Sequence, residues 1–456
     1  MIRPRLTDYY GIAAVQKELS FAIPFLDEDL PLYVDPFLLW KSPSQQDNSL
    51  HVAIIDSINA LGTVWLEGKK KDAIEQVIRA SECVEVGLGQ SRTRVGKPVG
   101  EREAEQILQL FERIPQIRDH GLSRLEVLQL TVHGIGRDRV SDFTCSFVKS
   151  FLIDYTIDQC NKLNIPRQKS CDVAVFSLKT KRFDIESNLE LPVNPETGQP
   201  VLLVPKRWLR FAPWINFEDY FADYIPQDDT LKGVEKLGHV EVLDFNRQHY
   251  DAIERYVARK ILSAADCKND PLFAQIPVSS AKAKLAELQK LPTGVSDKAD
   301  KRYEDLMVSM LASFLYPDCD FATDQARTDS GVTIRDLIFY NNRSHEFLRD
   351  ILDTYDSRQL VFELKNVKAI EREHINQLNR YIAGNFGRFG VLVTRNPLPR
   401  AMFKNTVDLW SGQRKAIIAL TDQDIEQMVD VFESKQRSPL DVVKKKYFEF
   451  EKALPK

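Results

Sequence analysis

Segments with helical periodicity alternate with short apolar runs over the last third of the chain. A strand that alternates with helices has to bury both of its faces, and this pattern predicts an α/β layer sandwich. The expected elements are, in order, a helix over 298–315, a strand around residue 336, a helix over 344–355, a strand over 359–366, a helix over 370–382 and strands over 389–395 and 416–420.

The strand over 359–366 carries a carboxylate and an amine two residues apart, at Glu363 and Lys365. Residues i and i+2 of a strand project from the same face, so these two side chains are expected to lie together. Phe362 and Leu364 point the other way, into a core. Because a buried strand normally excludes Glu and Lys unless they are paired or used, the strand is a candidate functional element.

A second hydrophobic run, over 332–340, contains a single carboxylate, Asp336. Two neighbouring strands that bring an Asp beside a Glu and a Lys are typical of a metal-dependent hydrolytic site. We therefore expect Asp336, Glu363 and Lys365 to converge.

The region 298–400 resembles the PD-(D/E)XK nuclease superfamily, which includes restriction endonucleases and RecB-type exonucleases. Asp336 matches the Asp of the motif, and Glu363 with Lys365 matches its ExK; the proline of the motif is replaced by Arg335. Gln377 and Tyr381 match the QxxxY signature of RecB-type members. Glu304 lies on the preceding helix, where many members carry an accessory Glu. The resemblance implies a restriction-endonuclease-like αβα sandwich with a mixed central sheet.

Phosphodiester hydrolysis by such a site requires a divalent cation, which polarises the phosphoryl oxygen and activates a water molecule. Mg²⁺ or Mn²⁺ would be bound by Asp336, Glu363 and the carbonyl of Leu364, since hard cations take oxygen ligands. Lys365 would orient the water and offset charge at the phosphate. Gln377 and Tyr381, four residues apart on one helical face, would reach the substrate backbone or the lysine.

Each of these residues also has a structural interpretation. Glu363 and Lys365 would form an ion pair at a sheet edge, Asp336 would end a strand, Glu304 would complement a helix dipole, and Tyr381 would belong to the core. In a further alternative, a carboxylate on the helix that precedes the strand over 359–366 binds the metal in place of Asp336. The candidates are Asp350, Asp353 and Asp356.

With 456 residues, the chain is too long for a single ordinary core. Breaker-rich segments suggest an N-terminal α/β recognition or regulatory domain over 1–230, a helical connector over 231–290 and a nuclease domain over 291–456. Within the first of these, helical periodicity predicts helices over 52–66, 100–117 and 140–163, and apolar runs predict strands over 171–178 and 200–204. The six cysteines lack zinc spacing and indicate free thiols in a reducing cytoplasm. No run of about 18 apolar residues is present, so we expect no membrane contact.

The net charge of −4 argues against bulk electrostatic coating of nucleic acid but leaves room for a local basic groove. In the N-terminal region, a glycine loop over 133–142 opens a helix. The N-terminus of this helix would bind an anion, or in the structural alternative Ser141 or Asp142 would cap it. The segments 87–98 and 206–214 contain arginines, interleaved with tryptophans in the second, as in nucleic-acid-binding surfaces or packed amphipathic edges.

The sequence thus predicts a cytoplasmic, Mg²⁺-dependent endonuclease that acts on double-stranded DNA. We expect a homo-oligomer whose N-terminal region recognises DNA, a phage or host trigger, or a second copy. The resemblance to prokaryotic antiphage-defence nucleases favours a role in defence against phage or foreign DNA. Two alternatives stay open: a structure-selective nuclease or exonuclease of DNA repair or recombination, and a non-catalytic module that binds nucleic acid or protein.

Overall fold

The computed structural model describes residues 5–455 apart from 15–17, 27, 31, 90, 92–93, 95, 268–274, 317, 328–333 and 384–385; the side chains of 266, 320–327 and 334–336 are also outside the description. The protein is mixed α/β and divides into two compact units, Met1–Asp270 and Pro271–Lys456. The helical region expected as a connector over 231–290 is shared between these two units.

The N-terminal unit is predominantly helical. Its α-helices among the described residues are α1 (Leu6–Tyr9), α2 (Pro36–Lys41), α3 (Gln45–Leu66), α4 (Lys70–Ala80), α5 (Glu101–Arg113), α6 (Pro115–His120), α7 (Leu128–Thr131), α8 (Arg137–Phe147), α9 (Lys149–Leu163), α10 (Phe217–Asp219), α11 (His239–Gln248) and α12 (Tyr250–Leu262). Its strands form two antiparallel pairs, β1 (Tyr33–Val34) with β4 (Leu209–Arg210) and β2 (Gln168–Ser177) with β3 (Arg182–Leu191).

Two helices expected in this unit are interrupted. The helical pattern over 100–117 divides into α5 and α6, because Pro115 disfavours a helical backbone at the preceding residue and Ile114 is extended (φ −100°, ψ 111°). The pattern over 140–163 divides at Val148 into α8 and α9. The strand expected over 200–204 is wrong, since these residues contribute only an isolated bridge between Pro200 and Val193.

Helix α3 is long and apolar enough to cross a membrane by length and composition. This is weak evidence for a membrane span, because the core helix of a globular protein passes the same test. One side of α3 is built into the core of the unit, with Ile54, Ile58 and Leu61 fully buried.

A fully buried acid, Glu126, makes the stability of this unit pH-dependent. Burial raises its pKa from 4.5 to about 7; neighbouring Asp35 adds to the increase and Arg124 opposes it. The folded state therefore holds the proton more tightly than the unfolded state, and the stabilisation present below pH 4.5 is lost as the pH rises through 7.

We predict that Glu126→Gln, which mimics the protonated acid, stabilises the protein at pH 8 by up to about 3 kcal/mol and has little effect at pH 4.5. Urea denaturation at both pH values measures the difference. Glu105→Gln, on the exposed side of α5, is the matched control and should change neither curve. Parallel pH profiles for the wild type and Glu126→Gln would contradict this prediction.

The C-terminal unit contains a mixed five-stranded sheet. Its strands are β5 (Asp320–Arg327), β6 (Ile334–Tyr340), β7 (Gln359–Lys365), β8 (Phe389–Thr394) and β9 (Ala416–Leu420), in that spatial order. Its α-helices among the described residues are α13 (Val278–Lys290), α14 (Ala299–Leu315), α15 (Glu346–Tyr355), α16 (Arg372–Tyr381), α17 (Arg400–Gln413), α18 (Asp422–Ser434) and α19 (Leu440–Glu451). Strands β5, β6 and β7 are antiparallel, whereas β7, β8 and β9 are parallel.

Helices cover both faces of this sheet. Ile375 and Leu378 of α16 pack on one face, against Val361 of β7 and Leu392 of β8. On the other face, Phe389 of β8 contacts aromatic rings of α15 and α19, namely Phe347, Tyr355 and Tyr447. The α/β layering expected from the alternation of helices and strands is confirmed within this unit.

Candidate active site

Glu363 and Lys365 lie side by side on the face of β7 that packs against α16. Both are an even number of residues from Val361, which belongs to the core cluster of that face. The Nζ atom of Lys365 is 2.6 Å from Oε1 of Glu363, and the side chains of Glu363 and Lys365 are 0% and 20% exposed. Since β7 is the central strand of the sheet, the interpretation as an ion pair at a sheet edge is wrong about the location, although the ion pair itself exists.

The pairing explains how a carboxylate is tolerated in the middle of a sheet. An isolated ionised acid buried in protein would change protonation state or destabilise the fold, whereas a buried acid with a lysine at contact distance keeps its charge compensated. The partly exposed Lys365 leads from the buried Glu363 to the surface, near the end of β7. The pair therefore extends from the buried carboxylate of Glu363 to the solvent-exposed part of the Lys365 side chain.

The backbone of β6 places Asp336 beside this pair in the sheet register. Leu337 pairs with Phe362. If the antiparallel register continues by one more residue, Asp336 lies opposite Glu363. The side chain of Asp336 is outside the described residues. The expected neighbourhood of the two strands is confirmed, and a role of Asp336 as a ligand stays a prediction.

The alternative acids occupy a different end of β7. Asp350 and Asp353 are exposed on α15, and the exposed Asp356 ends that helix three residues before Gln359, at the start of β7. Glu363 lies four residues beyond Gln359, or roughly 13 Å along a strand. These acids therefore lie on a solvated helix and at its end.

Gln377 and Tyr381 are brought together on α16. Nε2 of Gln377 donates a hydrogen bond to Oη of Tyr381, at 2.8 Å. The Tyr381 ring is also part of the core cluster with Leu378, so its structural role is confirmed. His374, one turn earlier, has a pKa below its usual value, first because of burial and then because of the nearby positive charge of Lys365. The face of α16 that carries His374 thus lies close to Lys365.

Glu304 lies in the second turn of α14, a helix that packs against β7. The acidic residue in the first turn of α14 is Asp300, so complementing the helix dipole is not the role of Glu304. Its side chain is half-buried. A contribution of Glu304 to catalysis stays a prediction.

Sequence reasoning missed the residues that hold the end of β7 in place. Asn366, directly after Lys365, donates hydrogen bonds from Nδ2 to the carbonyls of Pro292 (3.0 Å) and Gly294 (2.9 Å). Its Oδ1 accepts a hydrogen bond at 2.9 Å from Arg395, which follows β8 and also pairs with Asp422 at 2.6 Å. No local pattern could have identified these bonds, because the partners of the Asn366 amide nitrogen lie 74 and 72 residues earlier in the chain.

We predict that Asn366→Ala destabilises the protein by about 2–3 kcal/mol, because two carbonyls and the Arg395 guanidinium each lose a hydrogen bond. Chemical denaturation followed by circular dichroism measures the loss. Asn396→Ala is the matched control: this exposed asparagine donates a side-chain hydrogen bond to the carbonyl of Lys368, and its removal should cost under about 1 kcal/mol. Equal losses for the two variants would contradict an anchoring role of Asn366.

The described residues contain part of the donor set that a magnesium site requires. Mg²⁺ in enzymes is commonly held by one or two carboxylates, with the remaining ligands taken from water and substrate phosphate. Glu363 supplies one carboxylate, and Asp336 occupies the adjacent register position. Among the side chains that the structure describes, which exclude Asp336, no group of three or more His, Cys, Asp or Glu residues gathers around one point.

Arginines of the N-terminal unit that were expected to contact nucleic acid have internal partners. Arg94 donates to the carbonyls of Phe25 and Glu85, at 2.6 and 2.8 Å. Arg207 forms a bidentate pair with buried Asp47, at 2.7 and 2.9 Å. Trp208 is 1% exposed. The interpretation of 206–214 as a packed edge is thus confirmed for this part of the segment.

The glycine loop that opens α8 differs from the capping expected of it. The helix begins at Arg137 after Gly136, and no side chain caps it. Ser141, expected as a cap, instead accepts a hydrogen bond from the backbone N–H of Val34, at 3.0 Å. Capping of this helix by Ser141 or Asp142 is therefore wrong.

The fold and site define an α/β protein with a buried acid, paired with a partly exposed amine, in the central strand of a mixed C-terminal sheet. A family model described as a domain of unknown function (DUF8370) matches residues 11–216, within the N-terminal unit. The chain is also similar to the "Putative transposon gamma-delta 80.3 kDa protein" of Escherichia coli (strain K12), with 31% identity over 67 residues, 15% of this chain and 10% of that protein. The chain thus matches about a tenth of the length of this relative. No solved structure gives a significant match.

Proposed function

We propose that the C-terminal unit is a metal-dependent nuclease of the restriction-endonuclease-like type, which hydrolyses phosphodiester bonds of double-stranded DNA. The observation that carries the proposal is the contact between Glu363 and Lys365, a fully buried carboxylate beside a partly exposed amine in the central strand of a mixed sheet. A pair with a purely structural role could be replaced by two apolar residues with little cost, whereas acid–base chemistry requires both groups.

Three further features support the proposal. Asp336 is next to Glu363 in the sheet register, so a second carboxylate belongs to the neighbouring strand. The hydrogen-bonded pair of Gln377 and Tyr381 belongs to the helix that covers the face of Glu363. His374 on this helix has a pKa that is lowered first by burial and then by the nearby charge of Lys365, and both effects favour the neutral imidazole.

Each residue has a distinct role in the proposed reaction. Asp336 and Glu363, with the carbonyl of Leu364, would hold Mg²⁺ or Mn²⁺, which supplies Lewis acidity at the phosphoryl oxygen. Lys365 orients the attacking water and compensates negative charge at the phosphate. Gln377 and Tyr381 position Lys365 or the substrate backbone, and Glu304 contributes an additional carboxylate from α14.

Cleavage of supercoiled plasmid DNA by the full-length protein, with Mg²⁺, with Mn²⁺ and with EDTA, tests this function. We expect nicked or linear DNA with either cation and intact plasmid in EDTA. A closed circle has no end, so cleavage of the plasmid identifies an endonuclease, whereas degradation of linear DNA alone identifies the exonuclease alternative. Intact DNA of both forms under all metal conditions would favour the non-catalytic binding module.

Defence against phage or foreign DNA is the setting that we propose for a cytoplasmic endonuclease of this kind. The N-terminal unit would then act as the recognition or regulatory part, and self-association into a homo-oligomer would place two cleavage sites on one duplex. The efficiency of phage plating on cells that express the wild type or Glu363→Gln tests this setting. Equal plating on the two strains would favour the role in repair or recombination.

A further inference from the structure

The histidine in the first turn of α16 has no role in the reaction proposed above, although the topology of the sheet brings it to the site. Strands β7 and β8 are parallel neighbours, and α16 lies between them in the chain. A helix that connects two parallel strands runs back across the sheet, so its first turn lies at the end where the first strand stops. His374 is in that turn, and Lys365 is the last residue of β7.

The side of α16 that carries His374 also carries the two other polar residues of the candidate site. His374, Gln377 and Tyr381 are separated by three and four residues, a spacing that places side chains on one side of a helix. Tyr381 packs in the core cluster that joins Ile375 to Val361 of β7. His374 therefore extends the polar row of Gln377 and Tyr381 toward the end of β7.

A hydrogen bond fixes the protonation of the His374 ring. Its Nδ1 atom accepts from the backbone N–H of Glu371, at 3.0 Å. In a neutral imidazole one nitrogen accepts and the other carries the proton, so this bond assigns the proton to Nε2. Burial and then the charge of Lys365 lower the pKa of His374 and favour this neutral form, whereas Glu371 and Glu373 act in the opposite direction.

The Nε2–H group is a donor without a hydrogen-bond acceptor in the part of the chain that the structure describes. A nitrogen that carries a proton cannot bind a cation, and Nδ1 is already occupied by the N–H of Glu371. His374 in this tautomer is therefore neither a metal ligand nor a base. It is a neutral donor at a helix N-terminus, an arrangement that enzymes use to polarise an oxygen atom on which negative charge develops.

We propose that His374 donates a hydrogen bond from Nε2 to a non-bridging oxygen of the phosphate whose charge Lys365 compensates. The inference rests on the proposed nuclease function and adds to it a residue that contacts the substrate. No proton is transferred in this step. The hydrogen bond becomes stronger as negative charge accumulates on the phosphoryl oxygens in the transition state, so its loss should lower kcat more than it raises KM.

Two amide substitutions separate the functions of the two ring nitrogens. His374→Asn places an oxygen near the position of Nδ1, where it can accept from Glu371, and leaves nothing in place of Nε2. His374→Gln places an amide nitrogen near the position of Nε2 and restores the donor. In the plasmid assay with Mg²⁺, we expect His374→Asn to lower kcat by about 10–100-fold, and His374→Gln to cut at least about fivefold faster than His374→Asn.

Two further measurements separate the loss of the donor from other defects. His374→Asn should keep the urea midpoint of the wild type, because the bond to Glu371 is retained, and it should bind Mn²⁺ as the wild type does in calorimetry. His120→Asn, at an exposed histidine that ends α6, is the matched control and should cut like the wild type.

The possible outcomes distinguish this inference from the function on which it rests. Cleavage by His374→Asn at the wild-type rate would show that His374 only caps α16, and equally slow cleavage by the Asn and Gln variants would exclude Nε2 as the donor. Weakened Mn²⁺ binding by His374→Asn would make the residue a metal ligand. Each of these results overturns the inference and leaves the nuclease function standing, whereas intact DNA with the wild type under all metal conditions overturns both.

Discussion

Glu363→Gln is expected to reduce Mg²⁺-dependent DNA cleavage to background while the protein stays folded. The substitution preserves the shape of a side chain that is 0% exposed but removes the charge that would hold the cation. Asp336→Ala should have the same effect on cleavage, because the neighbouring strand would supply the second carboxylate. Plasmid cleavage and circular dichroism, measured on the same preparations, separate lost chemistry from lost structure.

Glu426→Gln, at an exposed position of α18, is the matched control and should cut like the wild type. Wild-type cleavage by Glu363→Gln would show that the buried acid has only a structural role. Retention of cleavage by Asp336→Ala alone would remove Asp336 from the set of ligands. Asp350 and Asp353, although exposed on α15, would then become the acids to test.

Loss of the Lys365 amine should lower both the rate of DNA cleavage and the stability of the folded protein. Lys365→Met keeps most of the aliphatic stem and removes the charge 2.6 Å from Glu363. We expect cleavage to fall by about 10²–10³-fold, the usual effect of losing one stabilising or acid–base group. Removing one partner of a fully buried pair costs about 3–5 kcal/mol; because Lys365 is 20% exposed, a smaller loss of stability is expected here.

The double variant Glu363→Gln/Lys365→Met separates the two effects. Removing both charges should recover most of the stability in urea denaturation, since no unpaired ion is left in the sheet, but cleavage should stay at background. Lys368→Met, at an exposed lysine three residues further on, controls for general loss of positive charge. Normal cleavage by Lys365→Met would contradict the proposed role of the amine, whatever its effect on stability.

Mn²⁺ calorimetry adds a readout that a structural role alone would not change. Lys365→Met should still bind Mn²⁺, because the carboxylates are intact, whereas Glu363→Gln should bind it much more weakly. Strong Mn²⁺ binding by both variants would show that Glu363 is not a ligand of the metal.

The elements with strong local patterns were predictable from the sequence. The strand β9 was expected over 416–420 and occupies those residues, and α14, β7 and β8 differ from expectation by one residue at an end. In each case a run of apolar residues of suitable length and period marks the element in the sequence. The strand β5 was missed because its sequence, with Asp320, Asp324 and Arg327, lacks apolar alternation, and its pairing with β6 is a tertiary contact.

The sequence by itself determined that Glu363 and Lys365 share a face, because strand geometry requires this of residues two apart. Only the tertiary structure decided that β7 is central in the sheet, that both side chains face α16, and that Asn366 and Arg395 tie the ends of β7 and β8 to the turn before α14.

Likewise, Arg94 and Arg207 are indistinguishable in sequence from arginines that bind nucleic acid. Their partners, the carbonyls of Phe25 and Glu85 and the carboxylate of Asp47, include groups far away along the chain. Strand order and long-range pairing depend on which surfaces pack together, and a local pattern of residues does not determine which surfaces these are.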